Sequence, residues 1–235
     1  MQRVRVVGNK SRTVKKCRAR AIDIEPALQV PGGNGRLDMD LRDACGAWQG
    51  GMSGGSSPIR AAARNLTGIR HYFRADFIDK YEEEARRDEP TTQRARTLLD
   101  ALAASPLRTP AEWAEELNSG SSWIGRGIKR GTQDQQILQS LATGEITMPL
   151  WGASFDPDIA RHYGDRFTFI LHGPFPAIPA WIHSGIVAEE LELICGGRYE
   201  IIEPTDFTAE KIEVHLRFLE LPAVDATPAT GSEHM

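Results

Sequence analysis

Cysteine is scarce in this chain, aromatic residues make up 7% of it, and long apolar runs are missing. Cys17, Cys45 and Cys195 are odd in number and widely spaced, with no CxxC pair and no histidine at ligand spacing. That pattern indicates neither a disulfide framework nor a zinc site, and the three read as ordinary reduced thiols. No stretch approaches the roughly 20 consecutive apolar residues that cross a bilayer. The N-terminus, Met1-Gln-Arg-Val-Arg-Val-Val-Gly8, also lacks the apolar core of a secretory signal. The expectation is a soluble protein of a cytoplasm, its own cell's or a host's, with no membrane partner. Acidic residues are absent from the first 20 positions, where Arg3, Arg5, Lys10, Arg12, Lys15, Lys16, Arg18 and Arg20 accumulate. Such an arm is either a solvated, poorly ordered terminus or a tether to nucleic acid or an acidic partner. Without interleaved aromatics it does not make a base-stacking surface.

What is present suffices for one substantial core: 235 residues, 40% of them hydrophobic, with no internal repeat. Gln49 to Pro58, Gln-Gly-Gly-Met-Ser-Gly-Gly-Ser-Ser-Pro, cannot bury apolar area and reads as a linker. Residues 1–57 are therefore expected to be a basic, partly flexible region ending in that linker, residues 58–221 the main domain, and residues 222–235 a flexible tail rich in Thr, Pro and Ala. From Arg60 to Leu117 the apolar spacing is helical. Leu98, Leu99 and Leu102 share one face, and Thr109-Pro-Ala-Glu112 combines an N-cap, a first-turn proline and a capping-box glutamate ahead of Trp113. After Ser121 short β-prone runs take over: Ile146–Trp151, Phe167–Leu171, Leu191–Cys195, Tyr199–Ile202 and Ile212–Leu219. One helix interrupts them, opened by Asp156 and Pro157, with Ile159, Ala160 and Tyr163 on one side. The fold class expected is α+β, helices first and mostly antiparallel strands afterwards.

Three places carry chemistry. In Glu190-Leu-Glu192-Leu, a strand would point both carboxylates one way and both leucines into the core. Alone, this pattern is also that of an edge strand with a solvated acidic face. Arg126 lies between Gly125 and Gly127, where a ligand can approach the backbone and a guanidinium can grip phosphate in a two-pronged bond. The plain alternative is a surface arginine in a turn. Ser154 ends the run Met148-Pro-Leu-Trp151-Gly-Ala-Ser and immediately precedes the helix opened by Asp156, a position where serine is commonly a turn or capping residue.

In this order and spacing, the glycine-flanked arginine, the aromatic-x-x-Ser and the Glu-x-Glu followed by Gly-Gly-Arg-Tyr199 resemble the arginine–serine–glutamate class of mono-ADP-ribosyltransferases. Trp151 corresponds to the family's leading aromatic and Ser154 to its last serine, with Ala160 six residues on and Tyr163 after it. Gly152 and Ala153 depart from the pattern, which has serine and threonine there, and so remove the hydroxyl that would lie next to the catalytic glutamate. The likeness covers about Pro58 to Leu221. It implies a helical lobe followed by a β-sandwich core, NAD as substrate, and no metal. Glu192 would hold the nicotinamide-ribose 2′-hydroxyl and stabilise the developing cation, and Glu190 would orient or deprotonate the acceptor. Arg126 would hold a phosphate, Gly127 would offer its backbone to the nicotinamide amide, and Ser154 and Trp151 would shape that pocket. A glutamate at the position of Glu190 accompanies arginine as acceptor in the family, so protein arginine is the expected target. Transfer to nucleic acid, plain NAD hydrolysis and an NAD-binding module without turnover are the other readings. A bacterial toxin or phage effector with a neutralising antitoxin or immunity partner fits such an activity. Trp181, His183, His162 and His172 read as core or solvated residues.

Overall fold

The computed structural model describes residues 35–50, 56–69, 81, 83–131, 134–164, 166–184, 191–203 and 205–224. Helix α1 (Gly35–Gln49) is held by a stripe in which Leu41, Ala44, Cys45 and Trp48 recur at helical spacing, the last three fully buried. It packs on α3 (Glu89–Ala104) and α7 (Ala180–Ser184). Helix α2 (Ser57–Thr67) starts with Pro58 in its first turn, stops at left-handed Gly68, and lies against α3 and the sheet. In α3 the buried face is Thr91, Ala95, Leu98, Leu99 and Leu102. Helix α4 (Pro110–Glu116) carries the full capping box expected of Thr109 and Glu112, and it sinks Trp113 so that its indole N–H donates to the Phe175 carbonyl at 3.3 Å.

The strands are β1 (Gly125–Ile128), β2 (Glu145–Ser154), β3 (Phe167–His172), β4 (Ala177–Pro179), β5 (Glu192–Ile201) and β6 (Ile212–Glu220). Helix α5 (Asp134–Leu141) precedes β2, and α6 (Pro157–Tyr163) connects β2 to β3. The strand order is β2-β1-β3-β6-β5-β4, and β2 also pairs with β5, so five strands close into a ring with β4 outside it. The α+β class and the mostly antiparallel pairing are as expected, but the sandwich is corrected: the sheet closes on itself, and β3 and β6 run parallel.

Closure depends on β5. Its first half, Glu192 to Cys195, pairs with β2 on one side and β4 on the other. Its second half, from Arg198, stays on β2 but pairs with β6 instead of β4. The change of partner falls at Gly196 and Gly197. A Cβ on Gly196 would lie 2.3 Å from the Pro149 carbonyl oxygen, and one on Gly197, where φ is +144°, would lie 2.6 Å from the Phe218 ring. Only glycine lets the neighbouring strands close in here. Arg198 then pins the junction, with ion pairs to Glu145 of β2 at 2.9 Å and Glu220 of β6 at 3.0 Å.

Helix α1 lies upstream of position 58 yet belongs to the same apolar core as the strands. The Gly/Ser stretch therefore falls between two packed helices. Its residues 51–55, the basic arm and residues 225–235 lie outside the described residues.

On the outer face of the parallel pair, a ring nitrogen of His172 faces one of His215 at 2.7 Å, and Glu203 approaches the far side of His215 at 3.7 Å. Burial, reinforced by the charge of His215 and opposed by Glu203, holds His172 below the ordinary histidine value of 6.5. Unfolding removes that restraint, so between the depressed value and 6.5 the unfolded chain binds more protons than the folded one. Stability is then fully present above pH 6.5 and falls as the pH drops below it. The melting temperature should decline on acidification through the histidine range, and His172→Gln should flatten that slope when both proteins are followed by circular dichroism.

Candidate active site

Ser154 is the point where the site assembles. At the end of β2 it is the register partner of Gly125 on one side and of Glu192 on the other. Its own side chain is buried, and its Oγ accepts the Asp156 N–H at 3.0 Å, which fixes the turn into α6. Asp156 in turn caps α6, accepting the Asp158 N–H at 2.8 Å, and Pro157 fills the first helical position as the sequence predicts. Arg126, Ser154 and Glu192, separated widely along the chain, thus converge on one cavity of about 300 Å³.

The cavity is lined from three directions. Strands β1, β2 and β5 contribute Gly125 to Gly127, Gly152 to Ser154 and Glu192; α6 contributes Ile159, Ala160 and Tyr163; the N-terminal helices contribute Trp48, Gln49 and Arg60. Arg126 Nη1 donates to the Gly152 carbonyl at 2.8 Å, which lays the guanidinium across from β1 to β2. On β5, Glu192 Oε1 accepts the Trp48 indole N–H at 3.0 Å. The charge of Glu192 is felt by both neighbouring thiols. Burial and that charge push Cys45 up to about 12 and Cys195 higher still, with Arg126 opposing the effect at Cys195. Both thiols stay protonated and inert at neutral pH.

Arg60 was not anticipated. It is 7% exposed, lines the cavity, stacks its guanidinium 5.1 Å above the Trp48 ring, and leaves its buried Nε without a hydrogen-bond partner. A buried cation of this kind is costly unless an anion completes it. Trp48, too, lies outside the stretch that the sequence assigned to the domain. The signal that could have found it is the stripe from Leu41 to Trp48.

Other expected residues sit differently. Trp151 does not line the cavity: it is fully buried behind β2, donating its indole N–H to the Tyr199 hydroxyl at 3.1 Å with the rings edge to face. It supports the strand that carries Gly152. Strand β5 begins only at Glu192, because Leu191 adopts a left-handed backbone with φ +43°. The strict alternation expected from Glu190 to Glu192 therefore breaks at Leu191, although Leu191 and Leu193 are both buried as expected. Glu190 itself lies outside the described residues. Trp181 is buried in the core as expected. Among the described residues no group of three or more His, Cys, Asp or Glu is placed to hold a metal, and no helix is long and apolar enough to cross a membrane.

No protein-family model and no curated protein matches the chain. Its fold is that of the ADP-ribosyltransferases. Two solved structures of Vis, a Vibrio splendidus toxin, are similar to it. The complex with M6 inhibitor is 15% identical over 91% of this chain and 88% of that one, with a TM-score of 0.53. The complex with agmatine is 14% identical over 96% of this chain and 92% of that one, with a TM-score of 0.52.

Gly127 is the tightest point of the wall. A Cβ there would lie 1.8 Å from the Ala160 carbonyl oxygen, and Gly164 is pressed against it from the end of α6. Gly127→Ala should push α6 off β1 and destabilise the protein by about 1–3 kcal/mol, measurable by denaturant unfolding.

Proposed function

We propose that the protein is a mono-ADP-ribosyltransferase that uses NAD and modifies a macromolecule, with protein arginine as the acceptor. The observation that carries the reading is the convergence of Arg126, Ser154 and Glu192 on one cleft in a chain with the ADP-ribosyltransferase fold. The charges suit the substrate. Arg126 and Arg60 offer two cations to the pyrophosphate, and Arg60 gains there the partner its buried Nε lacks. Glu192 supplies the negative charge that a dinucleotide's own phosphates cannot place beside the ribose.

In the reaction, the bond between ribose C1′ and the nicotinamide nitrogen breaks, its electron pair leaving with nicotinamide. The ribose passes through an oxocarbenium-like state, stabilised by Glu192, which also accepts the 2′-hydroxyl hydrogen bond. Gly127 and Ser154 line the nicotinamide end of the cleft. A guanidine nitrogen of the acceptor then attacks C1′ and gives up a proton, for which Glu190 is the proposed base. Arginine as acceptor is supported by that glutamate and by Vis, whose structure holds agmatine, a guanidino compound. The target protein, and a neutralising partner for a toxin or effector, follow from the same reading.

The test is incubation with NAD labelled on its adenylate half, alone and with cell lysate, RNA or DNA. Label should enter lysate protein and be recovered, after digestion, on the arginine of labelled peptides. Glu192→Ala should lower nicotinamide release by at least about 100-fold, the size of loss typical when a charge aimed at the transition state is removed. Glu190→Ala should abolish transfer while leaving nicotinamide release measurable. Label on nucleic acid would redirect the acceptor, and release without transfer would make the protein a hydrolase. Bound NAD with no release would leave a binding module.

A further inference from the structure

The proposed chemistry needs Glu192 to hold one orientation, and the two β2 residues that precede its register partner Ser154 bring no polar side chain to it. Gly152 has no side chain and Ala153 only a methyl. The structure gives the reason for the bare position. A Cβ on Gly152 would fall 2.0 Å from Glu192 Oε1 and 2.9 Å from its Cδ, so the carboxylate already occupies the space where a side chain would begin.

We infer that Trp48 is a positioning residue for Glu192, its indole N–H fixing the carboxylate from helix α1. The inference rests on Glu192 as the catalytic carboxylate. Three features support it. The indole donates to Oε1 at 3.0 Å, and an indole can only donate, so the bond is made to the carboxylate acting as acceptor and never in the reverse sense. The ring is fixed from behind: Trp48 is 2% exposed, with the Arg60 guanidinium 5.1 Å over it. Its helix is anchored before and after Trp48, through Asp43 to Arg94 of α3 at 2.7 Å and through Gln49 to Ser184 of α7 at 2.5 Å. At Gly152 the carboxylate leaves no room for a side chain, whereas the indole reaches it from α1.

Two measurements test it. The first is independent of turnover: in the nitrogen-15 indole spectrum, the resonance lost in Trp48→Phe should move in Glu192→Gln, while that of Trp113 stays in place. A Trp48 resonance blind to Glu192→Gln overturns the inference. The second uses nicotinamide release at a temperature where circular dichroism shows each variant folded. Trp48→Phe should lower kcat by roughly 10- to 100-fold, the effect expected from losing a hydrogen bond to a charged group, with KM for NAD nearly unchanged. Gly152→Ser should also lower kcat, because it displaces the carboxylate. Combined, the two should cost less than the product of the single losses, since both act on one carboxylate. Losses that multiply would mean two independent effects and overturn the inference. A native protein that releases no nicotinamide sinks the transferase reading, and the indole spectrum still decides the role of Trp48.

Discussion

The Glu192 carboxylate, lying over a glycine and taking a hydrogen bond from a tryptophan of a distant helix, is the contact to which the rest of the architecture answers. For it to exist, β5 must start at Glu192, β2 must be bare at Gly152, and α1 must be packed into the same core as the sheet. Each condition is met by different physics. Leu191 takes a left-handed turn that a leucine adopts only when its surroundings over-determine it, and burial of its side chain is what compensates. Gly152 contributes by having nothing to contribute. Helix α1 is held by apolar burial, which is indifferent to sequence distance, and that is how a residue 144 positions away reaches the carboxylate.

The ring supplies the rigidity. By changing partner at Gly196 and Gly197, β5 serves β2, β4 and β6 at once. A single strand thereby sets the position of Glu192 against both Ser154 of β2 and the outer strand β4. Arg126 from β1 and Arg60 from α2 bring cations to the cavity that Glu192 also lines, so both signs of charge meet there. Such a field suits a ligand that carries phosphates at one end and develops positive charge at the other.

The parts of this molecule that could be read from the sequence are those governed by local chemistry. The capping box at Thr109 and the Asp156–Pro157 helix start are complete within a few residues, and both form as read. The arginine, serine and glutamate were legible as motifs, and the structure brings them to one cavity. What escaped depends on distant partners or on ambiguity in the pattern. Ring closure is a pairing of β2 with β5 that no local periodicity encodes. Strand β4 is three residues long, too short for any alternation. In β2 every residue from Met148 to Ser154 is buried, so alternation could not tell which of Trp151 and Gly152 faces the cavity. Helix α1 was hidden by the Gly/Ser stretch that follows it, although its stripe from Leu41 to Trp48 was in plain view.

The ring is not laced evenly. β1 is joined to β3 by four register pairs but to β2 by Gly125 and Ser154 alone, and the Arg126 bond to the Gly152 carbonyl supplies a side-chain rivet where further rungs are missing. The barrel therefore has a seam, and the cleft opens along it. Opening there gives up fewer bonds than opening between β3 and β6. A ligand gripping Arg126 on one lip and Ser154 on the other would act as the absent rungs, so that occupancy and mechanical closure of the barrel become one event.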